Sequence, residues 1–117
     1  MSNFGTPILL DLHDCEPDFL LNSQLIINLL ENAAKLAGAT LLHSHYHKFG
    51  GHGGVSAIVV LAESHISIHT WPENSFAAAD IYMCGDTNPN VAVDLIIQQL
   101  HCLKPNIKKY NRGFNLE

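Results

Sequence analysis

The chain has 117 residues, of which 47% are hydrophobic and 15% charged, so it can bury the core of one folded domain and is not expected to be disordered. Its formal net charge is −5, from 11 acidic and 6 basic residues, which argues against a nucleic-acid-binding protein. We therefore expect a single domain over residues 1–117 with no nucleic-acid partner.

The N-terminal third predicts a strand followed by a helix. Residues 8–12 form a short apolar run typical of a buried strand, and residues 14–18 have the composition of a turn. From 22 to 37 the apolar residues recur at helical spacing, with Asn22 or Ser23 placed to cap the first turn. This pattern predicts an amphipathic helix with one buried face.

Residues 40–49 predict a second strand, and residues 50–54, which include four glycines, predict a flexible loop. Alternation divides the side chains of this strand between two faces. One predicted face carries Leu41, His43, His45, His47 and Phe49, and the other carries Leu42, Ser44, Tyr46 and Lys48.

Three further strands are predicted in the middle of the chain. Residues 55–62 are apolar and β-branched and indicate a central strand, and residues 66–70 indicate a short one. These bounds leave residues 63–65 at the junction between the two strands. Residues 72–75 predict a turn, after which a strand resumes over residues 76–83.

A second helix and a last strand complete the pattern. Asn88-Pro89 is a typical helix start, and Lys104-Pro105 is expected to stop the helix. Residues 107–112 predict an edge strand. The order β-α-β-β-β-β-α-β predicts an α+β fold, a two-layer α/β sandwich whose mainly antiparallel sheet carries two helices on one face.

The cysteines and the hydropathy indicate a compartment. The chain has three cysteines, Cys15, Cys84 and Cys102, and none of them forms a Cys-x-x-Cys pair. An odd number of cysteines without such a pair favours free thiols in a reducing environment. Cys84 ends a predicted strand and precedes Gly85, so it is better placed than the other two to meet a ligand, although a small buried thiol is the simpler interpretation. No signal-peptide pattern or membrane-length apolar run is seen, and we expect a cytoplasmic protein without membrane contact.

Three histidines alternate in the second predicted strand. The imidazoles of His43, His45 and His47 would share one face, within reach of one metal ion. A zinc or copper site usually needs a further carboxylate or thiolate ligand, and none is placed nearby with certainty. We favour a half-exposed strand face or the wall of a substrate site, and we predict no metal site.

Reactive side chains are concentrated around the Glu63-Ser64 peptide. Attack of the Ser64 hydroxyl on the Glu63 carbonyl needs a strained peptide, a donor for the oxyanion and a proton carrier. Ser56 and His69 lie on the strands before and after, and a hairpin would bring both toward one end of the sheet. The alternatives are an ordinary turn serine and a Ser-His hydrolase, although the chain has no Gly-x-Ser-x-Gly elbow.

Two segments together resemble the short prokaryotic S-adenosylmethionine decarboxylases. Residues 54–73, GVSAIVVLAESHISIHTWPE, resemble the central motif of that family, and residues 77–86, AAADIYMCGD, resemble a second motif. Residues 9–12 with Cys15, and residues 37–40, are similar as well. The likeness therefore covers roughly residues 8–112 in order.

The resemblance implies a proenzyme that cuts itself between Glu63 and Ser64 into a β chain, 1–63, and an α chain, 64–117. Ser64 would attack the Glu63 carbonyl, and β-elimination from the resulting ester would convert it to a pyruvoyl group, the covalent cofactor that forms a Schiff base with the substrate. By motif position, Ser56 and His69 correspond to processing residues. Cys84 corresponds to the proton donor in decarboxylation, with a role in processing also open.

The resemblance also implies the substrate and the assembly. Phe49 would stack on the adenine of S-adenosylmethionine, Glu73 would bind the ribose hydroxyls, and Trp71 would line the pocket or simply pack. The implied product is the aminopropyl donor for spermidine synthesis. The implied assembly is a homodimer of processed αβ units with sites near the subunit interface.

Two departures from the family pattern keep other functions open. Family members commonly read Phe-Ser-Pro-Gln-Gly-Val-Ser where residues 49–56 read FGGHGGVS, one residue longer and richer in glycine. Residues 74–76, NSF, replace a more aromatic turn. Both changes lie near the implied substrate site, so a pyruvoyl-dependent decarboxylase of ornithine or arginine is an alternative, as is a His-rich metal-binding protein.

Overall fold

Residues 5–113, the part of the chain that the computed structural model describes, form a six-stranded antiparallel sheet with helices on one face. The α+β two-layer sandwich predicted above is confirmed. The strands are β1 Ile8–His13, β2 Leu41–Lys48, β3 Val55–Leu61, β4 Ser64–Trp71, β5 Phe76–Tyr82 and β6 Lys104–Lys109. The helices are α1 Pro17–Leu20, α2 Ser23–Leu36 and α3 Pro89–Gln99, with one 3-10 turn at Pro72–Asn74.

The strand order in space is β2-β3-β4-β5-β1-β6. β2 to β5 follow one another as antiparallel neighbours, and β1 is inserted between β5 and β6. The N-terminal half of the chain therefore contributes strands on both sides of β4 and β5. Strands from before and after residue 63 interleave in one sheet.

The core lies between the sheet and the two long helices. Every second side chain of the strands points toward the helices, and each helix turns its apolar face toward the sheet. Asn22 caps α2 as predicted, since its side chain accepts a hydrogen bond of 3.0 Å from the Leu25 N–H, which typically contributes about 1 kcal/mol. The large side chains fully buried in this core are Ile8, Leu10, Leu12, Leu20, Ile26, Leu30, Leu61, Ile66, Ile68, Ile81, Ile96 and Leu100.

The opposite face of the sheet carries polar and half-exposed side chains, and we call it the open sheet face. Its apolar members are unusually accessible, with Ile58 exposed at 36% and Val60 at 38%. On β2, β3 and β4 the open sheet face consists of His43, His45, His47, Ser56, Ile58, Val60, His65, Ser67, His69 and Trp71.

Within residues 5–113 no helix is long and apolar enough to cross a membrane.

A β-bulge changes the predicted faces of β2. The pairing register shifts between Leu41 and His43, and Leu41 pairs with the buried Leu61 on the helix-covered side. The prediction that Leu41 shares a face with the histidines is therefore wrong, because the extra residue of a bulge reverses the alternation. His43, His45 and His47 do share the open sheet face, as predicted.

Three predicted boundaries were also wrong. β4 begins at Ser64 and not at residue 66, so the junction between β3 and β4 is a two-residue turn. α3 ends at Gln99, because His101 takes a left-handed conformation with φ 50° that breaks the helix well before Lys104. β6 occupies residues 104–109 and not 107–112, and it includes a proline that an edge strand tolerates.

Candidate active site

The turn between β3 and β4 holds a strained residue beside Ser64. Leu61 pairs with Ser64, so only Ala62 and Glu63 form the turn. Glu63 has φ 60°, the left-handed region that costs a non-glycine residue about 1–2 kcal/mol. The residue whose carbonyl precedes Ser64 is therefore held in an unfavourable conformation by the surrounding sheet.

Cys84 reaches this turn from the end of β5. Its Sγ–H donates a hydrogen bond of 3.1 Å to the Glu63 carbonyl oxygen, and its sulfur lies 3.8 Å from the Ser64 hydroxyl oxygen. Ser64 itself is nearly buried, with 8% of its surface exposed. We call Glu63, Ser64 and Cys84 the cleavage cluster. A donor on the Glu63 oxygen is what would stabilise negative charge there during attack by Ser64.

Ser56 and His69 form a second polar group on the open sheet face. They are direct partners in the β3–β4 pairing, and the Ser56 Oγ and the His69 Nδ1 share a hydrogen bond of 2.8 Å. The bond fixes the orientation of the imidazole. A serine hydroxyl hydrogen-bonded to a histidine can relay a proton to or from a bound molecule.

A cavity of about 490 Å³ opens beside this pair, and we call it the aromatic cavity. It brings together the three residues singled out for substrate binding, Phe49, Trp71 and Glu73. Among the described residues that line it, Glu73 carries the one carboxylate and none is Lys or Arg, which suits a cationic ligand with a flat ring. The lining residues are Phe49, Gly50, His52, Gly54, Ser56, His69, Thr70, Trp71 and Glu73.

The two groups do not meet within one chain. The hairpin does bring Ser56 and His69 to one end of the sheet, as expected, but it is the end away from the turn. Ser64 lies five residues from His69 along β4, a separation of about 16 Å at the usual rise of a strand. The cleavage cluster and the aromatic cavity are therefore two separate half-sites.

Thr70, which sequence reasoning missed, holds the edge of the aromatic cavity. Its buried hydroxyl accepts a hydrogen bond of 2.9 Å from the Val55 N–H and donates one of 2.9 Å to the Leu20 carbonyl oxygen. These bonds tie the start of β3, the end of β4 and α1 together. The available signal was a polar residue that continues the core-facing alternation of Ile66 and Ile68.

One histidine of β2, His47, lies beside the aromatic cavity through its contact with Phe49. The ring of His47 lies 4.5 Å from the ring of Phe49, centroid to centroid. No three His, Cys, Asp or Glu side chains between residues 5 and 113 are grouped so that they could hold a metal ion. The position of His47 agrees with the interpretation of this strand face as a wall beside a binding site.

The glycine loop that borders the cavity offers a matched pair of substitutions. A Cβ added at Gly54 would lie 2.6 Å from the Thr70 carbonyl oxygen, whereas a Cβ at Gly50 meets nothing within 4 Å. We expect Gly54→Ala to lower the free energy of unfolding by about 1–3 kcal/mol, because the β3 and β4 backbones must move apart. Urea unfolding would measure this. Gly50→Ala is the control, and an equal effect of both substitutions would contradict the explanation.

Comparison with known proteins gives consistent matches over nearly the whole chain. The sequence profile of the family described as S-adenosylmethionine decarboxylase matches residues 6–113. A protein named S-adenosylmethionine decarboxylase proenzyme from Thermodesulfovibrio yellowstonii is 42% identical over 114 residues, which is 97% of this chain and 84% of that protein.

Aquifex aeolicus supplies both a related sequence and a related structure. Its S-adenosylmethionine decarboxylase proenzyme is 44% identical over 110 residues, 93% of this chain and 81% of that protein. A crystal structure of the adenosylmethionine decarboxylase from the same organism matches with a TM-score of 0.89 at 38% identity, covering 100% of this chain and 97% of that one.

Proposed function

This chain belongs to the S-adenosylmethionine decarboxylase family and is a carboxy-lyase, and we propose that it releases CO2 from S-adenosylmethionine by means of a pyruvoyl group made from its own Ser64. The observation that carries this proposal is the cleavage cluster. It combines a strained Glu63, a thiol donor on the Glu63 carbonyl and a serine hydroxyl on the next residue. The same residues fit the precursor of a pyruvoyl group, which needs a serine directly after the bond to be cut.

Cleavage would proceed in two stages. The Ser64 Oγ attacks the Glu63 carbonyl carbon, the C–N bond between the residues breaks, and an ester to the Ser64 oxygen replaces it. The Cys84 thiol stabilises the oxyanion, and the strain at Glu63 is relieved when the peptide bond opens. Loss of the Ser64 α-hydrogen then breaks the Cβ–O bond and releases the β chain with a Glu63 carboxylate. Hydrolysis of the resulting enamine releases ammonia and would leave the pyruvoyl group.

The sheet topology supports a protein that stays assembled after this cut. β1, β2 and β3 would belong to the β chain, and β4, β5 and β6 to the α chain. Three of the strand pairings cross between the two products, namely β3 with β4, β1 with β5 and β1 with β6. Separation of the products would break these pairings and expose the core.

The separation of the half-sites supports a homodimer. Two copies related by a two-fold axis, with their open sheet faces together and their β4 strands antiparallel, would bring the cleavage cluster of one copy to the aromatic cavity of the other. The half-exposed Ile58 and Val60 would be covered in that arrangement. We propose that each active site is completed in this way, with Ser56 and His69 moving protons during processing.

The residues of both half-sites then have separate tasks in decarboxylation. Phe49 stacks on the adenine, Glu73 accepts hydrogen bonds from the ribose hydroxyls, and the Trp71 face lies near the sulfonium cation. When formed, a pyruvoyl group supplies an electrophilic carbonyl for the substrate amine and takes up the electrons that CO2 leaves behind. Cys84 donates the proton to the substrate carbon. The product would be the aminopropyl donor for spermidine synthesis in the cytoplasm.

Substrate choice is tested by CO2 release from carboxyl-labelled S-adenosylmethionine, ornithine and arginine offered separately. We expect release from S-adenosylmethionine alone, because the aromatic cavity supplies a ring and a carboxylate suited to an adenosyl group. Glu73→Gln should raise the KM for S-adenosylmethionine by about 10-fold or more, the loss expected for a hydrogen bond to a charged acceptor. Release from ornithine or arginine with none from S-adenosylmethionine would contradict the substrate assignment.

A further inference from the structure

Two thiols that the proposed reaction does not use lie side by side at the end of the molecule where β1 and α3 end. Cys15 follows β1 and is buried, with 4% of its surface exposed, while Cys102 follows α3 and is partly exposed. The two residues are far apart in the sequence. They lie on opposite sides of the proposed cleavage point.

Two backbone hydrogen bonds bracket this cysteine pair. The Leu103 N–H donates to the Asp14 carbonyl oxygen at 3.3 Å, and the Glu16 N–H donates to the Leu100 carbonyl oxygen at 3.1 Å. The two segments therefore run antiparallel, and between the two bonds Cys15 faces the two residues His101 and Cys102. Antiparallel neighbours have Cα atoms about 4.5–5.5 Å apart, which lies within the range that a disulfide spans.

The side chains converge as well as the backbones. The Cys15 Sγ donates to the Leu12 carbonyl oxygen at 3.5 Å, and the Cys102 Sγ donates to the next carbonyl, that of His13, at 3.1 Å. Burial raises the pKa of the Cys15 thiol to about 12, with further contributions from the nearby Cys102 thiol and the Asp14 carboxylate. Cys15 thus stays protonated at neutral pH, and the partly exposed Cys102 is the thiol that meets an oxidant first.

We propose that Cys15 and Cys102 form a disulfide when the protein meets a small oxidised disulfide such as oxidised glutathione. Cys102 attacks the oxidant and releases one glutathione as its thiolate. That thiolate takes the Cys15 proton as the Cys15 sulfur displaces the second glutathione, so that two thiol protons and two electrons pass to glutathione. The disulfide itself does not depend on self-cleavage. Its consequence does rest on the proposed function, because in the processed protein this bond would join the β chain to the α chain covalently.

The test treats native protein with oxidised glutathione, blocks the remaining thiols by alkylation, and compares denaturing gels with and without reductant. We expect the processed wild-type protein to run as one band without reductant and as two bands with it. The oxidised species should have lost two hydrogens in mass. Cys102→Ser should give two bands under both conditions, and Cys15→Ala serves as a second variant if Cys102→Ser folds poorly.

An uncut Ser64→Ala protein separates this proposal from the proposed function. Oxidation should leave one alkylatable thiol of its three, since Cys15, Cys84 and Cys102 are all free at the start. If oxidation removes two alkylatable thiols from Ser64→Ala while the wild-type chain never splits, the disulfide is supported and self-cleavage is contradicted. Three alkylatable thiols after oxidation, or addition of glutathione in place of hydrogen loss, would overturn the disulfide whether or not the chain is cut.

Discussion

Ser64→Ala is expected to leave the chain uncut and to lower CO2 release by at least about 10⁴-fold, the scale of loss seen when a covalent catalytic group is removed. Alanine has no hydroxyl to attack the Glu63 carbonyl, so neither the ester nor the pyruvoyl group can form. Denaturing electrophoresis should show one band at 12.9 kDa for the variant and two smaller bands for the wild type.

Ser67→Ala is the matched control for this experiment. Ser67 lies three residues further along β4, pairs with Asp80 of β5, and belongs to the open sheet face rather than to the turn. The Ser67→Ala chain should still split. Cleavage of Ser64→Ala would contradict the assignment of Ser64, and an uncut Ser67→Ala chain would indicate that the substitution disturbs the strand rather than the chemistry.

Two impaired variants, one uncut and one weak in substrate binding, are expected to restore activity when they are produced together. Ser64→Ala removes the cleavage cluster of a subunit, and Glu73→Ala removes the carboxylate of its aromatic cavity. If each site takes one half from each subunit, a mixed dimer has one complete site and one doubly impaired site. With equal expression and random pairing, about a quarter of the sites should be complete. CO2 release at low substrate concentration, compared with each variant alone, measures this.

A second pair of variants controls for nonspecific rescue. Ser64→Ala and Cys84→Ala both change the cleavage cluster, so a mixed dimer of these two variants contains no complete site. Their co-expression should restore nothing. Equal rescue by both pairs, or no rescue by the first pair despite mixed dimers, would contradict a site shared between subunits.

Much of the fold could be predicted because single elements carry strong local patterns. The apolar, β-branched run of β3 and the helical stripe of α2 each predict an element without reference to the rest of the chain. β6 was misplaced because all six of its residues are exposed and three are lysines, so its formation depends on pairing with β1 and not on its own pattern. The bulge between Leu41 and His43 likewise leaves no local signal.

The candidate site shows the same division between local and long-range information. The Glu63-Ser64 peptide is visible in the sequence because the two residues are adjacent. The Cys84 thiol meets the Glu63 carbonyl only through the pairing of β4 with β5, which no spacing rule predicts. The pairing of Ser56 with His69 depends on a two-residue turn that sets the β3–β4 register, and the sequence left that register open.

The most direct test of the account is the intact mass of freshly purified wild-type protein under denaturing conditions. We expect two species, residues 1–63 with an ordinary carboxyl end, and residues 64–117 lighter by one ammonia than the same segment with a free N-terminal serine. That mass identifies the pyruvoyl group as well as the cut. A single species with the mass of the uncut chain, or an α chain that begins with an unmodified serine, would contradict the account.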